Sequence, residues 1–370
     1  MTTTNFTRLT TEQKTVWSRD LWKVARNMSF VNKFLGEGPN SMIQHIKELT
    51  KTEKGARAVM TLVPDLEGDG VAGDRRLKGN EEQIKAYDKV IRIDQLRNAN
   101  ISEGRVSDQK SIVRFRETSR DVLGYWLSDR IDQMAFLFLS GVALSNKNNG
   151  ATRTGSDLIN LEFAADVAAP TSARKLRWSA SSGLVVNGAT SGVTAADTPS
   201  YEMVVKLKAY AKEEYIRGIR VGGQEKFHLF LTPTAYAALK MDENYIKALR
   251  HARERGNGNP LFTGGPVDLD GVYIHEFRHV YNTSGLSSGS KWGSGGTVEG
   301  CQALFCGAQA LGMADLGLPG WVEEGDDYEN QRAVSIWKIF GFLKPKYTTQ
   351  YGQSPATEQD FGVVSVYMAQ

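Results

Sequence analysis

The stretch from Gly55 to Arg97 constrains the fold most, because it predicts two extended runs joined by a tip that cannot fold back on anything. The runs, residues 56–63 and 84–96, mix β-branched residues with charges, which favours strands. A polar, glycine-punctuated linker, residues 64–79, separates them. Arms of roughly 20 residues at about 3.3 Å each would project on the order of 65 Å. Since an isolated hairpin is marginal in water, we expect this one to lie on another surface, that of a second subunit.

The composition is that of an ordinary globular chain, with 370 residues, 41% hydrophobic and 24% charged, enough for two or three packed units. The net charge of +3 is nearly balanced, whereas a dedicated nucleic-acid binder carries a clustered basic excess. The apolar run Met134–Leu139 is far shorter than the ~20 residues of a membrane span. The N-terminus lacks a secretory signal, which predicts cytoplasmic synthesis and no membrane association. With cysteines at 301 and 306 alone, disulfides do not organise the fold.

Two helices are predicted in the first 145 residues. The first lies in the N-terminal arm, and we expect its apolar stripe to dock on a neighbouring element or subunit rather than to form a cofactor site. That stripe is Trp17, Leu21, Val24, Met28 and Val31. The second helix, from about Gln109 to Ser140, is capped by Asp108, ends near Gly141 and would span about 48 Å. Its stripe is Leu123, Leu127, Ile131, Met134 and Phe138.

The middle of the chain alternates loops, helices and strands. Residues 145–196 are rich in Asn, Gly, Ser, Ala and Thr, which predicts surface loops and small strands. Thr198-Pro199 predicts a cap followed by proline at the first helical position, and Thr232-Pro233 starts another helix. Phe227–Leu231 between them predicts a buried strand. A helix from about Asp242 to Arg255 ends in basic residues that we expect to be solvated rather than bound to phosphate.

The segment His275–His279 matches the HExxH pattern of zinc metallopeptidases, in which two histidines one helical turn apart bind zinc and the glutamate activates water. The match requires a helix. The flanking residues 271–274 and 280–282 are β-branched and aromatic, which favours a strand instead. In a strand the two histidines would lie about 13 Å apart, with Glu276 on the opposite face. A zinc-dependent hydrolase at this segment is therefore a remote alternative.

Two further matches lack the context that their chemistry needs. Cys301 and Cys306 could complete a four-ligand zinc site with the two histidines, but residues 301–306 are typical of a strand with two buried thiols. Residues 285–289 match the G-x-S-x-G pattern of a nucleophile elbow, which needs a strand before it and a helix after it. They lie in a flexible, glycine-rich run, so a solvated loop is favoured.

A third match lies in the hairpin linker, where Asp65, Glu67 and Asp69 imitate the start of a calcium loop. Its twelfth position is Arg76, where a bidentate glutamate is required, so calcium is not expected. We therefore predict no catalytic residues, no cofactor and no metal. The arm stripe and the hairpin linker are instead expected to make contacts between subunits. The residues predicted for these contacts are Trp17, Leu21, Met28, Asp65, Asp69, Arg75 and Arg76.

The C-terminal third carries a series of short blocks that resemble a known family. The blocks are Leu304–Leu311, Trp321, Asp327-Tyr328, Gly341–Tyr347 and Asp360–Val366. In this order they are similar to the closing blocks of a tailed-phage major capsid protein family, the one typified by the N-four-like podoviruses. The succession of arm, hairpin, long helix, central domain and closing strands extends the resemblance over nearly the whole chain.

The resemblance implies an α+β chain with the tailed-phage major capsid fold of the Hong Kong ninety-seven type. It divides the chain into an N-terminal arm, an extended loop, a peripheral domain with the spine helix and the glycine-rich insertion, an axial domain, and strands that return to the peripheral domain. The corresponding ranges are 1–54, 55–101, 102–195, 196–320 and 321–370. Covalent crosslinking, known in some members of this fold, is not carried over, because its residues are not identifiable here.

The same resemblance implies a structural function. The chain would assemble with itself into hexamers and pentamers of an icosahedral phage head around double-stranded DNA, built in the host cytoplasm and located in the virion. Separate scaffolding, portal and decoration proteins are expected partners, and packaged DNA would be held by non-specific contact. A cellular nanocompartment shell of the same fold is the nearer alternative, distinguished by a protein cargo.

Replacing Trp17 and Leu21 together with serine tests the predicted role of the arm stripe. Burying such side chains contributes about 1.5–3 kcal/mol each, and in a shell this gain recurs at every equivalent contact. We expect the double variant to stay folded but to associate more weakly, so that circular dichroism stays near wild type while sedimentation shifts from particles to small oligomers. Unfolding of the isolated variant chain would place the stripe in the subunit's own core.

Overall fold

The computed structural model describes residues 29–47, 57–63, 66, 68–84, 87–110, 115–252, 267–349 and 357–370. Across these ranges the chain forms two large β-sheets, two small two-stranded sheets and a set of helices. The α-helices are α1 (Arg105–Lys110), α2 (Phe115–Ser140), α3 (Tyr201–Glu213), α4 (Pro233–Met241) and α5 (Glu243–Ala252). This content confirms the predicted α+β class.

A six-stranded sheet is built around one long strand, β15. Its members are β1 (Leu35–Gly36), β2 (Ile43–Ile46), β5 (Asp94–Ile101), β13 (Leu311–Asp315), β14 (Gly320–Asp326) and β15 (Gln331–Leu343). β15 pairs antiparallel with β14 on one edge and β5 on the other, so Ala333 lies opposite both Glu324 and Ile101. At its far end β15 pairs with β13, where Gly341 lies opposite Ala314.

An eight-stranded sheet has the order β10-β11-β9-β12-β18-β6-β7, with β8 beside β9. Its members are β6 (Lys175–Ser179), β7 (Gly183–Val186), β8 (Ile219–Val221), β9 (Gln224–Leu231), β10 (Val267–Leu269), β11 (Val272–Glu276), β12 (Gly300–Cys306) and β18 (Val363–Ala369). Every position of β12 and β18 is buried, so both faces of the sheet are covered at its centre. The predicted buried strand at 227–231 is confirmed as the second half of β9.

Helix α2 lies between the two sheets. On its C-terminal half, Phe136 packs against Phe230 of β9, with ring centroids 5.4 Å apart, and Phe138 packs against Phe342 of β15 at 5.8 Å. The five positions of the predicted stripe are all buried in one apolar cluster that contains residues of both sheets. No helix in the described ranges is both long and apolar enough to cross a membrane.

The two ends of the predicted spine helix have different outcomes. Its end at Ser140 is confirmed: Gly141 has φ +68°, and a Cβ there would lie 2.4 Å from the carbonyl oxygen of Ala168. Its predicted start at Gln109 falls within α1, Arg105–Lys110, and residues 111–114 between α1 and α2 lie outside the described ranges. Asp108 is therefore inside a helix, with its amide donating to Gly104, and is not the predicted cap.

The start of α3 also differs from the prediction. Ser200 is the N-cap, and its hydroxyl accepts a hydrogen bond from the Met203 amide at 3.3 Å. The predicted cap, Thr198, lies outside the helix, where its carbonyl oxygen accepts from the indole of Trp178 at 2.9 Å. The predicted start of α4 at Thr232-Pro233 is confirmed.

The glycine-rich segment 145–196 is not confined to the surface. It contains β6, which joins the eight-stranded sheet by parallel pairing with β18. Leu176 and Trp178 of β6 are buried, because their period-two spacing places both on one face of the sheet. The prediction that residues 145–196 form surface loops and small strands is therefore wrong for β6. The two apolar residues of this strand gave only a weak signal within a polar stretch.

The closing strands divide between the two sheets. β14 and β15 belong to the six-stranded sheet, whereas β18 pairs antiparallel with β12 at seven positions and lies in the eight-stranded sheet. β18 thus lies in a different sheet from β14 and β15, a pairing that the sequence pattern of a buried strand does not identify. The domain boundaries themselves stay a prediction.

A hairpin projects from the six-stranded sheet. β3 (Arg57–Leu62) and β4 (Tyr87–Arg92) form six antiparallel pairs, which confirms the hairpin. It is shorter than predicted, about 20 Å of paired strand, because the second run divides at Ile93 and its remainder joins the six-stranded sheet as β5. The predicted arms of roughly 20 residues and the 65 Å span are therefore wrong for the paired strands.

The base of this hairpin packs on its own subunit rather than on a second one. Its buried residues Met60 and Ile91 share an apolar cluster with Tyr347 and Phe361. Two glycines allow this close approach: a Cβ at Gly341 would lie 1.9 Å from the carbonyl oxygen of Arg92, and one at Gly312 would lie 2.6 Å from the sulfur of Met60. The expectation that the whole hairpin needs a second subunit is therefore wrong for its base.

Gly341→Ala tests the close approach of the hairpin to the six-stranded sheet. The added methyl group would collide with the backbone of β4, so we expect a loss of about 1–3 kcal/mol in the free energy of unfolding and earlier proteolysis of the hairpin. Gly38→Ala is the matched control, since nothing lies within 4 Å of a Cβ at Gly38. Denaturant unfolding of the unassembled chains measures the difference. Equal stability of the two variants would contradict the close approach.

Two half-buried histidines form a pair on adjacent parallel strands of the eight-stranded sheet. Nδ1 of His228 in β9 lies 2.9 Å from Nε2 of His275 in β11, and the ring of Phe34 packs against both at 5.1 Å. Burial lowers the pKa of His228 to about 4. Burial, followed by the charges of His228 and Lys33, lowers the pKa of His275 to about 4 as well. Both rings are therefore neutral at pH 7.

This pair predicts an acid-sensitive stability. Because each histidine binds a proton less readily in the folded state, the free energy of unfolding should fall as the pH falls from 6.5 towards 4, by up to about 3 kcal/mol per histidine. Replacing both with phenylalanine should flatten this dependence while leaving the stability at pH 7.5 nearly unchanged. Thermal unfolding across the pH range measures it; an unchanged slope would assign the acid sensitivity to other groups.

Candidate assembly surfaces

The tip of the hairpin comprises residues 63–86, of which 63, 66 and 68–84 are described. The predicted contact residues Asp69, Arg75 and Arg76 are all exposed there, while Asp65 lies outside the described residues. Arg75, Arg76 and Lys78 place three cations within four positions. None of the three forms an ion pair with a described residue. The same described part of the tip also carries the four carboxylates of Asp69, Asp74, Glu81 and Glu82, so its net charge is not positive.

Local hydrogen bonds shape the tip. The carboxylate of Glu82 accepts from the amide of Gly68 at 2.7 Å, and the side-chain amide of Asn80 donates to the carbonyl oxygen of Arg76 at 3.0 Å. Arg76, which occupies the position where a calcium loop requires a glutamate, is exposed. Polar side chains of the tip thus form hydrogen bonds with backbone groups of the same segment. The side chain of Arg76 takes no part in these two bonds.

The outer face of the hairpin is partly apolar. Val59 and Val90 are a cross-strand pair, exposed by 39% and 43%, next to Thr61, which donates to Asp88 at 2.8 Å. The inner face of the same strands is buried in the subunit. An exposed valine pair on a projecting hairpin is a surface suited to contact with another subunit.

A second projection is the turn between β14 and β15. Asp327, Tyr328 and Glu329 all have φ between +47° and +66°, a conformation that costs non-glycine residues about 1–3 kcal/mol each. Tyr328 is 99% exposed. The turn is fixed from behind, because the guanidinium of Arg105 donates to the carbonyl oxygen of Glu329 at 3.3 Å. The turn thus presents an exposed tyrosine on a strained backbone to solvent.

The root of the N-terminal arm is attached to the spine helix by one carboxylate. Asp132 of α2 accepts hydrogen bonds from the hydroxyl of Ser29 at 2.7 Å, the amide of Phe30 at 2.8 Å and the amide of Val31 at 3.2 Å. Burial raises the pKa of Asp132, and these three bonds oppose that shift. The predicted arm contacts Trp17, Leu21 and Met28 lie outside the described residues.

Beside the arm root lies an open groove of about 900 Å³. Its walls include the rings of Phe30 and Phe277, which stack with centroids 4.1 Å apart, and those of Tyr125 and Trp126. At its rim His279 bonds the Asp129 carboxylate at 2.7 Å, and this hydrogen bond lowers the pKa of Asp129. The groove thus combines aromatic rings with charged side chains, among them Lys33, Arg130 and Glu276.

The zinc alternative at His275–His279 does not have the required geometry. β11 ends at Glu276, so the start of the segment is a strand as predicted, while Arg278 and His279 form a turn rather than a continuation of it. His275 bonds His228, and His279 bonds Asp129 on a different element. No group of three or more His, Cys, Asp or Glu placed to hold a metal occurs in the described ranges.

The two remaining motif matches have structural roles. Cys301 and Cys306 are fully buried free thiols in β12, as predicted. Burial raises the pKa of Cys301 to about 11 and raises that of Cys306 still further, which keeps both protonated. Residues 285–289 lie in a loop of turns that leads into β12, without the helix that a nucleophile elbow needs.

Asp132 and Tyr328 were not predicted as functional residues. Asp132 belongs to the polar side of a helix in the sequence, and its role depends on the arm root reaching it from about a hundred positions away. For Tyr328 a signal was present: the polar run Asp326–Asn330 between two strand patterns is typical of a hairpin turn. Its left-handed backbone was not predictable from that run.

Comparisons with known proteins agree with this architecture. A family model described as "Phage capsid protein" matches residues 5–370. The major capsid protein of Pseudomonas phage KPP25 is 58% identical over 368 residues, which cover 99% of this chain and 97% of that protein.

Solved structures show the same fold. The capsid of Ralstonia phage GP4 is 26% identical with a TM-score of 0.72, covering 92% of this chain and 91% of that one. The capsid of Cyanophage Pam1 is 19% identical, also with a TM-score of 0.72, covering 92% of each chain. The fold is thus the phage capsid fold of the Hong Kong ninety-seven type, as the resemblance of the closing blocks implied. Since a family model and a close relative both match nearly the whole chain, the chain belongs to the phage capsid protein family.

Proposed function

We propose that this protein is the major capsid protein of a phage and assembles with itself into the hexamers and pentamers of an icosahedral head. The observation that carries the proposal is the 58% identity to the KPP25 major capsid protein along 99% of the chain. The projecting hairpin, the exposed turn and the aromatic groove are the surfaces that such assembly would use.

The two sheets suggest how the subunit is divided. We assign α2 and the six-stranded sheet to the peripheral domain, and the eight-stranded sheet with α3 and α4 to the axial domain. The support is strand pairing, which puts β6 and β18 with β9 and β12. This assignment moves β6, β7 and β18 out of the predicted peripheral domain. It also places β13, from the predicted axial range, and β1, β2 and β5, from the predicted arm and extended loop, in the peripheral domain.

The partners beyond the subunit itself belong to the same proposal. Double-stranded DNA is the expected content, held by non-specific contact because the net charge of +3 is too small for a dedicated nucleic-acid binder. Scaffolding, portal and decoration proteins are expected as separate chains. A structural role without catalysis fits the histidines and cysteines, which serve packing in this fold. The family match to phage proteins does not favour a nanocompartment.

Electron microscopy of the purified protein tests the proposal directly. We expect closed shells of uniform size when the chain is produced alone or with a scaffolding protein. Shells from infected cells should contain DNA, measured by nuclease-protected nucleic acid. A uniform protein cargo in place of DNA would favour the nanocompartment, and a chain that stays monomeric under both conditions would contradict the proposal.

Replacing residues 64–80 with a short Gly-Ser turn tests the role of the hairpin tip. Since the described tip residues contribute nothing to the buried clusters, we expect a soluble, folded chain that forms at least tenfold fewer shells. The control replaces Gly222-Gly223, an exposed turn with open space around both glycines, with the same Gly-Ser turn. Light scattering and microscopy give the comparison, and wild-type particles from the tip variant would argue against a contact between subunits.

A further inference from the structure

We propose that the histidine pair beneath the root of the N-terminal arm is an acid-operated release. When His228 and His275 take up protons, the arm root, residues 29–34, detaches from the subunit while both large sheets stay folded. The root contains a single turn of 3₁₀ helix, Val31–Phe34. Its release is a property of the single subunit, so it goes beyond the proposed shell function and can be measured without assembly.

The arm root covers the pair on one face of the eight-stranded sheet. β9 and β11 are parallel neighbours there, with His275 opposite Phe230, and the two imidazoles are joined by the 2.9 Å contact between Nδ1 of His228 and Nε2 of His275. The ring of Phe34 packs edge-on against both imidazoles at 5.1 Å, and that of Phe30 packs against His275 at 6.2 Å. Both histidine rings must therefore lose the root before they become fully hydrated.

Hydrogen bonds to one carboxylate complete the attachment of the root. Asp132 of α2 accepts from the hydroxyl of Ser29 and from the amides of Phe30 and Val31 at 2.7–3.2 Å. Within the root, the amide of Lys33 donates to the carbonyl oxygen of Phe30 at 3.2 Å. Opening the root breaks only these bonds and the packing of its own side chains, whereas unfolding β12 and β18 exposes strands that are buried at every position. A short segment of this kind opens at a lower free energy than the core does.

Proton uptake by the pair favours the open root. Burial lowers the pKa of His228 to about 4, and burial together with the charges of His228 and Lys33 lowers the pKa of His275 to about 4. Opening returns both rings to water, where their pKa rises towards 6.5. Because the open form then binds protons more readily, its population grows as the pH falls from 6.5 towards 4. Between pH 7.5 and pH 5 this growth is about thirtyfold for each proton taken up.

The carboxylate of Asp132 opposes the release. Burial raises its pKa, and the three hydrogen bonds from the root act in the other direction, so Asp132 binds a proton more readily in the closed root than in water. This opposition amounts to one proton at most, against the two that the histidines take up. His279 bonds Asp129 of α2 at 2.7 Å and lies at the rim of the groove rather than beneath the root.

The other charged and titratable groups around the pair do not reverse this balance. Lys33 belongs to the root, and its positive charge repels a protonated His275. On the sheet, Tyr273 stacks on His228 at 5.6 Å, and Cys306 of β12 lies opposite His228 in the strand register. A phenol and a thiol carry no charge at acid pH. Lys33 therefore adds to the driving force for release, and the two sheet residues leave it unchanged.

Hydrogen exchange of the unassembled full chain, followed by mass spectrometry at pH 7.5, 6.5 and 5, tests the release. The readout is the protection of a peptide covering residues 29–35, with each rate divided by the intrinsic rate at that pH. We expect this protection to fall at least tenfold from pH 7.5 to pH 5, while peptides from β12 and β18 keep theirs. Constant protection of the root would overturn the release, and so would a loss of protection in the root and the sheets together.

Two variants assign the response to the pair. His228→Phe with His275→Phe keeps an aromatic face and removes both protons, so we expect its root protection to stay within threefold across this pH range. His279→Gln is the matched control, because it removes a histidine near the root but not beneath it, and we expect it to keep the tenfold fall. Persistence of the fall in the double variant, or its absence from the control, would overturn the assignment to the pair.

A measurement on the wild-type chain gives the same decision without any substitution. Exchange at C2 of the imidazole ring, read by mass spectrometry, reports the titration of each histidine separately. We expect His228 and His275 to titrate well below pH 6.5, and their protonation to rise over the same pH range in which the root loses protection. Titration of both rings near pH 6.5, with the root still protected there, would show that protons enter the closed pair freely and would overturn the release.

Discussion

The enclosure of the C-terminal half of α2 by two sheets is the constraint on which the rest of the subunit depends. From Met134 to Ser140 every residue is buried, so this part of the helix is covered on all sides. A helix that is apolar all round needs partners on every face. β9 and β15 supply them through Phe230 and Phe342. The two sheets are thereby held in one structure although the strands of each come from distant parts of the chain.

The rigidity of that centre lets the hairpin combine a fixed base with an exposed tip. Gly312 and Gly341 remove the side chains that would hold β3 and β4 away from the six-stranded sheet, and the resulting contact buries Met60 and Ile91. Beyond Leu62 the described tip residues are exposed apart from the half-buried Val71, and they include apolar side chains such as Leu66 and Ile84. The direction of the projection is thus set by core packing, while its end remains free to bind another subunit.

Buried ion pairs connect further segments of the subunit that are distant in the sequence. Arg174 and Glu214 form an ion pair with 2.8 Å between nitrogen and oxygen, and Arg174 also donates to the carbonyl oxygen of Asp360. The Asp360 carboxylate in turn binds Lys344 at 3.1 Å. Removing one member of such a pair is costly because an unpaired charge stays buried, so these residues define the packing more than they add to its stability. Asp132 does the same for the root of the arm with three hydrogen bonds.

The sequence determined the elements whose signals are local. Hydrophobic spacing identified the buried stripe of α2, β-branched runs identified the hairpin and β9, and the setting of His275 identified a strand instead of a zinc helix. The closing blocks pointed to the capsid family because they preserve order along the chain. Partner choice is not local. Residues 175–179 and 363–369 carry no sequence signal that these two strands pair with each other. The residues near Ile93 likewise carry no signal that the chain leaves the hairpin there and joins another sheet.

The tertiary structure decided those questions, because strand pairing joins segments that are distant in the sequence. It also decided which polar residues matter. Asp132 acquires its role from backbone amides that lie about a hundred positions away in the sequence. Tyr328 acquires its exposure from a left-handed turn that Arg105 fixes from another element. Local chemistry specifies what each segment can form, whereas burial of all segments together specifies which of those forms contact one another.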